Sequence, residues 1–135
     1  MKYKTCELTG GRLDQAVAKA CGYIYDKNIS EDVIVTSLDP TIPPRPPEHV
    51  HREVCRVVID GQERSFCPSS EWVHGGPIIE REGISVRVRR AFGLKLNTWW
   101  GLMGLDNEWP SVGDSPLQAA MRAFVAHKLG DEVDL

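Results

Sequence analysis

Two periods of apolar residues alternate along the chain. In "TGGRLDQAVAKACGY" the residues Leu13, Ala16, Val17, Ala20 and Cys21 fall three and four apart, which is the spacing of one helix face. Thr9 stands where a cap belongs, and Gly22 supplies the left-handed residue on which such helices end. The pattern predicts a first helix of about three turns, packed through a narrow face of small residues. The same period returns in "SPLQAAMRAFVAHKLG", where Leu117, Ala120, Met121, Phe124 and Val125 share a face. Ser115 at the N-cap, Pro116 at the first helical position and Gln118 three residues after the cap make a capping box. His127 and Lys128 sit in the last turn, where cations suit the helix dipole, and Gly130 ends the element.

Outside these helices the period shortens to two. Tyr3, Thr5 and Glu7 alternate with Lys4, Cys6 and Leu8 in a predicted edge strand, and Val33, Ile34, Val35 and Thr36 make a short β-branched run. "REVCRVVI" at 52–59 runs into Asp60-Gly61, the dipeptide typical of a two-residue hairpin turn, with "QERSFC" as the returning strand. Ile84, Val86 and Val88 alternate with Ser85, Arg87 and Arg89 in a further strand over 84–90. About residues 39–50 the chain holds Pro40, Pro43, Pro44, Pro46 and Pro47, a stiff surface connection or a polyproline docking segment. Glycines and tryptophans mix over 91–113, and the acidic tail at 131–135 is expected to be frayed or loosely docked. The whole reads as one α+β domain spanning 1–135: a mostly antiparallel sheet of about four to six strands with the two amphipathic helices packed on it. The tryptophan-rich segment is the surface through which such a domain would pair into a homodimer.

One stretch fits neither period. In "FCPSSEWVHGGPIIEREG" (66–83), Pro68 ends a strand, Ser69 or Ser70 can cap one helical turn through Glu71, Trp72 and Val73, and Gly75 stops it. Gly76 then lets the chain turn and Pro77 directs Ile78 and Ile79 into a strand. A helical turn broken by two glycines leaves backbone donors open, an arrangement that can take an anion or a planar ligand. Trp72, His74, Gly75, Gly76, Glu80 and Arg81 would line or flank it. The plainer alternative makes Trp72 a core aromatic and the glycines a sharp corner.

Composition narrows the function classes. Apolar residues make up 41% and charged residues 26% of the chain, which excludes a disordered protein. The net charge of -3 and a pI near 5.8 give no general attraction to phosphate backbones, so DNA is a disfavoured partner. No apolar run approaches the roughly 18 residues of a membrane span, and "MKYKTCELTG" lacks a signal-peptide core, so the cytoplasm is expected. Cys6, Cys21, Cys55 and Cys67 are scattered, and a reducing compartment keeps them as thiols.

Metal, hydrolase and nucleotide-fold signatures are missing. His49, His51, Cys55, Cys67 and His74 lack zinc-site spacing, and no Gly-x-Ser-x-Gly, Walker or dinucleotide pattern occurs, so no metal or cofactor is expected. Glu80 and Glu82 would share a face if they lay in a strand, which keeps open a small enzyme using a carboxylate or His74 as general base. The basic strand "SVRVRR" offers more. Arg87 and Arg89 project from one face, and with Trp99, Trp100 and Trp109 following they could hold a nucleotide by charge and stacking. Pairing of those arginines with Glu53, Glu63 or solvent, and tryptophans in the core, is the competing reading.

"MKYKTCELTG" with "LDQAVAKA", then "PSSEWVHGGPIIEREGI", then "PLQAAMRAFVAHKLGDEV" resemble, in the same order, the NinX-like family of small bacteriophage and prophage proteins. The resemblance implies a phage or prophage origin, an accessory role and residence in the cytoplasm of the bacterial host, and supplies no reaction or cofactor. The proline-rich loop and the tryptophan-rich stretch depart from it. With no catalytic frame in view, the expected function is non-enzymatic binding of a host protein or of a small anionic ligand such as a nucleotide.

Overall fold

The computed structural model describes residues 1–35, 40–43, 46–91, 94–104 and 110–135, with backbone alone for 31–33, 35, 91 and 94–97. It is an α+β fold in which every strand pairing is antiparallel. Its centre is a helix, α3 (Pro116–Leu129), with Leu117, Ala119, Ala120, Met121, Ala123, Phe124 and Val125 all buried. Apolar residues on so wide an arc mark a helix covered on several sides. α3 is packed by α1 (Gly10–Cys21), α2 (Trp72–Glu82) and a sheet of β7 (Ile84–Ala91), β8 (Leu94–Met103) and β9 (Ser111–Gly113). Its start is as expected: Ser115 Oγ accepts from the Gln118 N–H at 3.1 Å. The Gln118 side chain reaches back to the N–H of Asp114, 2.7 Å away.

Among the described residues the expected single sheet is instead four small ones. Besides β7-β8-β9 there are β2 (Ile24–Tyr25), β5 (Arg56–Ile59) and β6 (Gln62–Ser65) in the order β2-β5-β6, a β3 (Ser30–Val35) with β4 (Glu48–Glu53) pair, and β1 (Lys2–Lys4) with β10 (Glu132–Asp134). Asp60 and Gly61 make the turn between β5 and β6 with φ of 52° and 76°, both left-handed, as a two-residue hairpin turn demands. The strand expected over 52–59 divides at Val54 and Cys55. Both are buried, and each half of the run pairs with a different partner. Thr36, Pro44 and Trp109 lie outside the described residues, and with them parts of the predicted β-branched run, proline loop and tryptophan cluster.

Both termini differ from expectation. After three residues of strand, the N-terminus turns into a 3-10 helix at Thr5–Glu7. The acidic tail is β10, in register with β1 through Lys2↔Asp134, Tyr3↔Val133 and Lys4↔Glu132. Val133, the one apolar residue of β10, is 2% exposed, and its burial holds a segment that local composition marks as solvated. α1 ends at Gly22 with φ 78°, as predicted. Its buried face is wider than the apolar period shows, because Asp14 and Gln15 are buried too. Gln15 is fully bonded: its Nε2 donates to the carbonyls of Asp26 and Lys27 at 2.9 and 3.0 Å, and its Oε1 accepts from Arg12 at 3.1 Å. A buried amide with each hydrogen-bonding group engaged ties the helix to the loop after β2 at little cost.

Candidate functional site

The segment expected to be a broken helical turn followed by a strand is one continuous helix. α2 runs through Gly75, Gly76 and Pro77 to Gly83, which ends it with φ 65°. Its N-cap is Glu71, with no side-chain cap bond, so neither Ser69 nor Ser70 caps it. Each member of Gly-Gly-Pro has a local reason. A Cβ on Gly75 would lie 2.5 Å from the Pro68 carbonyl oxygen and 2.6 Å from Cδ2 of Leu117, so only glycine lets α2 lie this close to the Pro68 backbone. Gly76 precedes Pro77, and a residue without Cβ escapes the clash with the proline ring that otherwise disfavours helix there. Pro77 itself forfeits one helical hydrogen bond. Pro77→Ala is therefore expected to raise stability by about 1 to 2 kcal/mol, the regained bond outweighing the looser unfolded chain. Urea unfolding checks it, and a loss of stability would show that the proline ring packs usefully.

The residues expected around that corner are distributed along α2. Trp72 is 57% exposed, so it is not a core aromatic, and Val73 beside it is 73% exposed. His74 is turned inward. Its Nδ1 accepts the backbone N–H of Cys67 at 3.0 Å and its ring lies 5.9 Å from that of Phe66. With Nδ1 used as an acceptor, the neutral ring carries its hydrogen on Nε2. Arg81 donates to Glu82 at 3.1 Å and lies 3.7 Å from the Cys21 sulfur, and Glu82 is 3.6 Å from Lys128. These side chains lace α1, α2 and α3 together. Glu80 is exposed, and because α2 is a helix, Glu80 and Glu82 point in different directions rather than sharing a face. The Cys55 thiol, imagined as a metal ligand, is buried and its pKa pushed up to about 12 by desolvation.

The arginines of β7 form a separate surface. Register pairs Arg87 with Trp100, Trp100 with Val112, and Ser85 with Leu102. Gly101 and Gly113 point at α3, where the backbone of Ala119 lies against them. The alternation of a strand then turns Trp100, Arg87 and Val112 to the opposite, outer face. There the Arg87 guanidinium carbon lies 5.1 Å from the centre of the Trp100 ring, a cation–π pair. Arg87, Arg89 and Arg90 are exposed, and the register shifts between Val88 and Arg90. Glu63, one proposed partner, is instead bonded to Arg56 at 3.2 Å, and Glu53 lies beside Gly10 and Gly11. Among the described residues no carboxylate pairs with Arg87, Arg89 or Arg90. Trp99 and Trp100 are both half-buried.

Two further groups carry no signal in the apolar pattern. Asp14 is 3% exposed and accepts the Ser69 N–H at 2.8 Å, and burial raises its pKa to about 6. Arg122, on the side of α3 facing β9, donates to backbone carbonyls of Leu8 and Val112.

The sequence model of a family described as Bacteriophage P22, NinX matches residues 4–128. The chain belongs to the Bacteriophage P22 NinX family. No curated protein matches it. The matched span covers α1, α2, all of α3 but its last residue, and both candidate regions, the α2 segment and the arginine face of β7, so both belong to the NinX unit rather than to an extension. Among the described residues no helix is long and apolar enough to cross a membrane.

Proposed function

We propose that this NinX family member is a phage accessory protein that acts by binding, without catalysis, and that its ligand is a small anion of nucleotide type held on the outer face of β7-β8-β9. The observation that carries the reading is the Arg87–Trp100 pair, an exposed guanidinium on an indole with no carboxylate among the described residues taking its charge. A planar base can stack on the guanidinium–indole layer while Arg89 and Arg90, also exposed, meet phosphate oxygens. The bacterial cytoplasm is where the chain would meet such a ligand.

Titration of tryptophan fluorescence with nucleoside mono- and triphosphates tests the proposal. Arg87→Ala is expected to weaken the affinity by about tenfold to a hundredfold, the worth of a charge-assisted contact, and Arg64→Ala on β6 to leave it unchanged. No binding by the parent protein, or equal binding by Arg87→Ala, would reject it. A host protein as partner is favoured by a different observation, the exposed Trp72 and Val73 at the start of α2. Cross-linking from position 72 in lysate, followed by loss of the product in Trp72→Ala, separates that reading from the first.

A further inference from the structure

A hollow of about 620 Å³ lies between the Thr5–Glu7 turn, β9, the last turns of α3 and the start of β10. Its size falls within the roughly 300 to 1,000 Å³ of small-molecule sites. Arg122 is built into its wall. Its Nε donates to the Leu8 carbonyl at 3.0 Å and its Nη1 to the Val112 carbonyl at 2.7 Å, so the guanidinium is held from two separate pieces of chain. Those bonds use two of the five N–H groups of the fork, and among the described residues Nη2 has no partner. Neither partner is charged, and among the described residues no carboxylate forms an ion pair with Arg122. Burial lowers its pKa, as for a cation partly stripped of water, and the charge of Asp114, which forms no ion pair with it, opposes the shift.

We propose that this hollow binds a small monocarboxylate with an apolar body, the carboxylate meeting the free edge of Arg122 and the body lying against Pro110, Val112 and Ala126. A planar two-oxygen head suits a guanidinium fixed in orientation. The rim selects against larger anions. Arg122 and Lys4, the latter paired with Glu7 at 3.8 Å, bring two positive charges and Asp131 and Glu132 two negative ones, so a phosphate chain with several charges would meet more repulsion than a single carboxylate. Val112 borders both this hollow and the face that carries Arg87 and Trp100, but neither Arg87 nor Trp100 lines the hollow, so the inference does not rest on the nucleotide reading. A free metabolite and the C-terminus of a peptide present the same chemistry.

Titration of the full-length, isotope-labelled chain with phenylacetate, followed by NMR, tests the inference. Shifts are expected at the Arg122 side-chain N–H and the amides of Val112 and Ala126, and phenylacetamide, which lacks the charge, should produce none. Arg122→Gln should weaken binding at least about tenfold. Should that variant fold poorly, Ala126→Phe fills the hollow while keeping Arg122 and should abolish the shifts. Arg87→Ala should leave them intact, so the two sites fail separately. An N-acetylated dipeptide with a free C-terminus, run beside its amide, distinguishes the sources: saturation below phenylacetate points to a peptide terminus, the reverse to a metabolite. The inference is overturned if none of these carboxylates shifts the named signals up to about 10 mM, or if Ala126→Phe binds as the parent does.

Discussion

Alanine at Gly101 is expected to destabilise the protein by about 3 kcal/mol or more, at the upper end of what overpacking costs. The added methyl group would run into the carbonyl oxygen of Ala119, with the Ala119 carbonyl carbon at 2.6 Å and the Ala120 nitrogen at 3.0 Å. All three are backbone atoms of α3, so no rotamer change relieves the contact and the helix must move off the sheet. It cannot do so alone. Gly113 on the neighbouring strand makes the same approach, its would-be Cβ lying 2.5 Å from the Ala119 nitrogen. Against a total stability of about 5 to 15 kcal/mol, the loss is a large fraction and should appear as a fall of many degrees in Tm. Urea unfolding of Gly101→Ala measures it. A variant within about 1 kcal/mol of the parent would mean that α3 does not lie on β8 as closely as described.

That contact also shows where sequence reading stops. α3 was legible because its cap, its apolar period and its terminal glycine agree, and each is a local signal. The β5–β6 turn was legible because Asp60-Gly61 suits left-handed backbone by itself. Gly101, Gly113 and Gly75 are read locally as breaks, yet each is a place where a helix and another segment touch, Gly101 and Gly113 against Ala119 of α3 and Gly75 against Pro68 and Leu117, and local propensity does not record such contacts. α2 was misread for that reason, since propensity alone makes Gly-Gly-Pro a stop and only the packing against Leu117 and Pro68 makes it a helix interior. β10 shows the same limit. Nothing within "DEVDL" favours a strand, and the pairing depends on β1 at the far end of the chain.

The candidate sites divide in the same way. Alternation made the basic face of Arg87 and Arg89 visible, but which tryptophan stands beside Arg87 depends on the β7–β8 register, which the sequence does not display. Arg122 falls within a run whose apolar period describes the opposite side of α3, and its partners are two carbonyls from other elements. Asp14 reads as the polar face of an amphipathic helix until it is seen buried and bonded to the Ser69 N–H.

Asp14 should give the protein an unusual dependence on pH. The group has an unfolded pKa of 3.8 and a folded one of about 6, raised chiefly by burial, with the nearby Glu71 charge adding to it and the hydrogen bonds from Ser69 opposing it. Below pH 4 the carboxyl is neutral in both states and carries no penalty. As pH climbs from about 4 to 6 the unfolded chain releases the proton while the folded chain keeps it, so stability falls with rising pH. Above pH 6 the folded protein holds an ionised, desolvated carboxylate, at a cost of about 3 kcal/mol from two pKa units. Asp14→Asn keeps an oxygen to accept the Ser69 N–H and removes the charge. The variant should match the parent near pH 4, exceed it by up to about 3 kcal/mol at pH 8, and lose the downward slope between. Unfolding free energies of both proteins across that range decide the matter. Parallel curves would place the carboxylate in water, and a variant weaker than the parent at pH 8 would mean that the negative charge is used, by a cation that approaches Asp14 in the working protein.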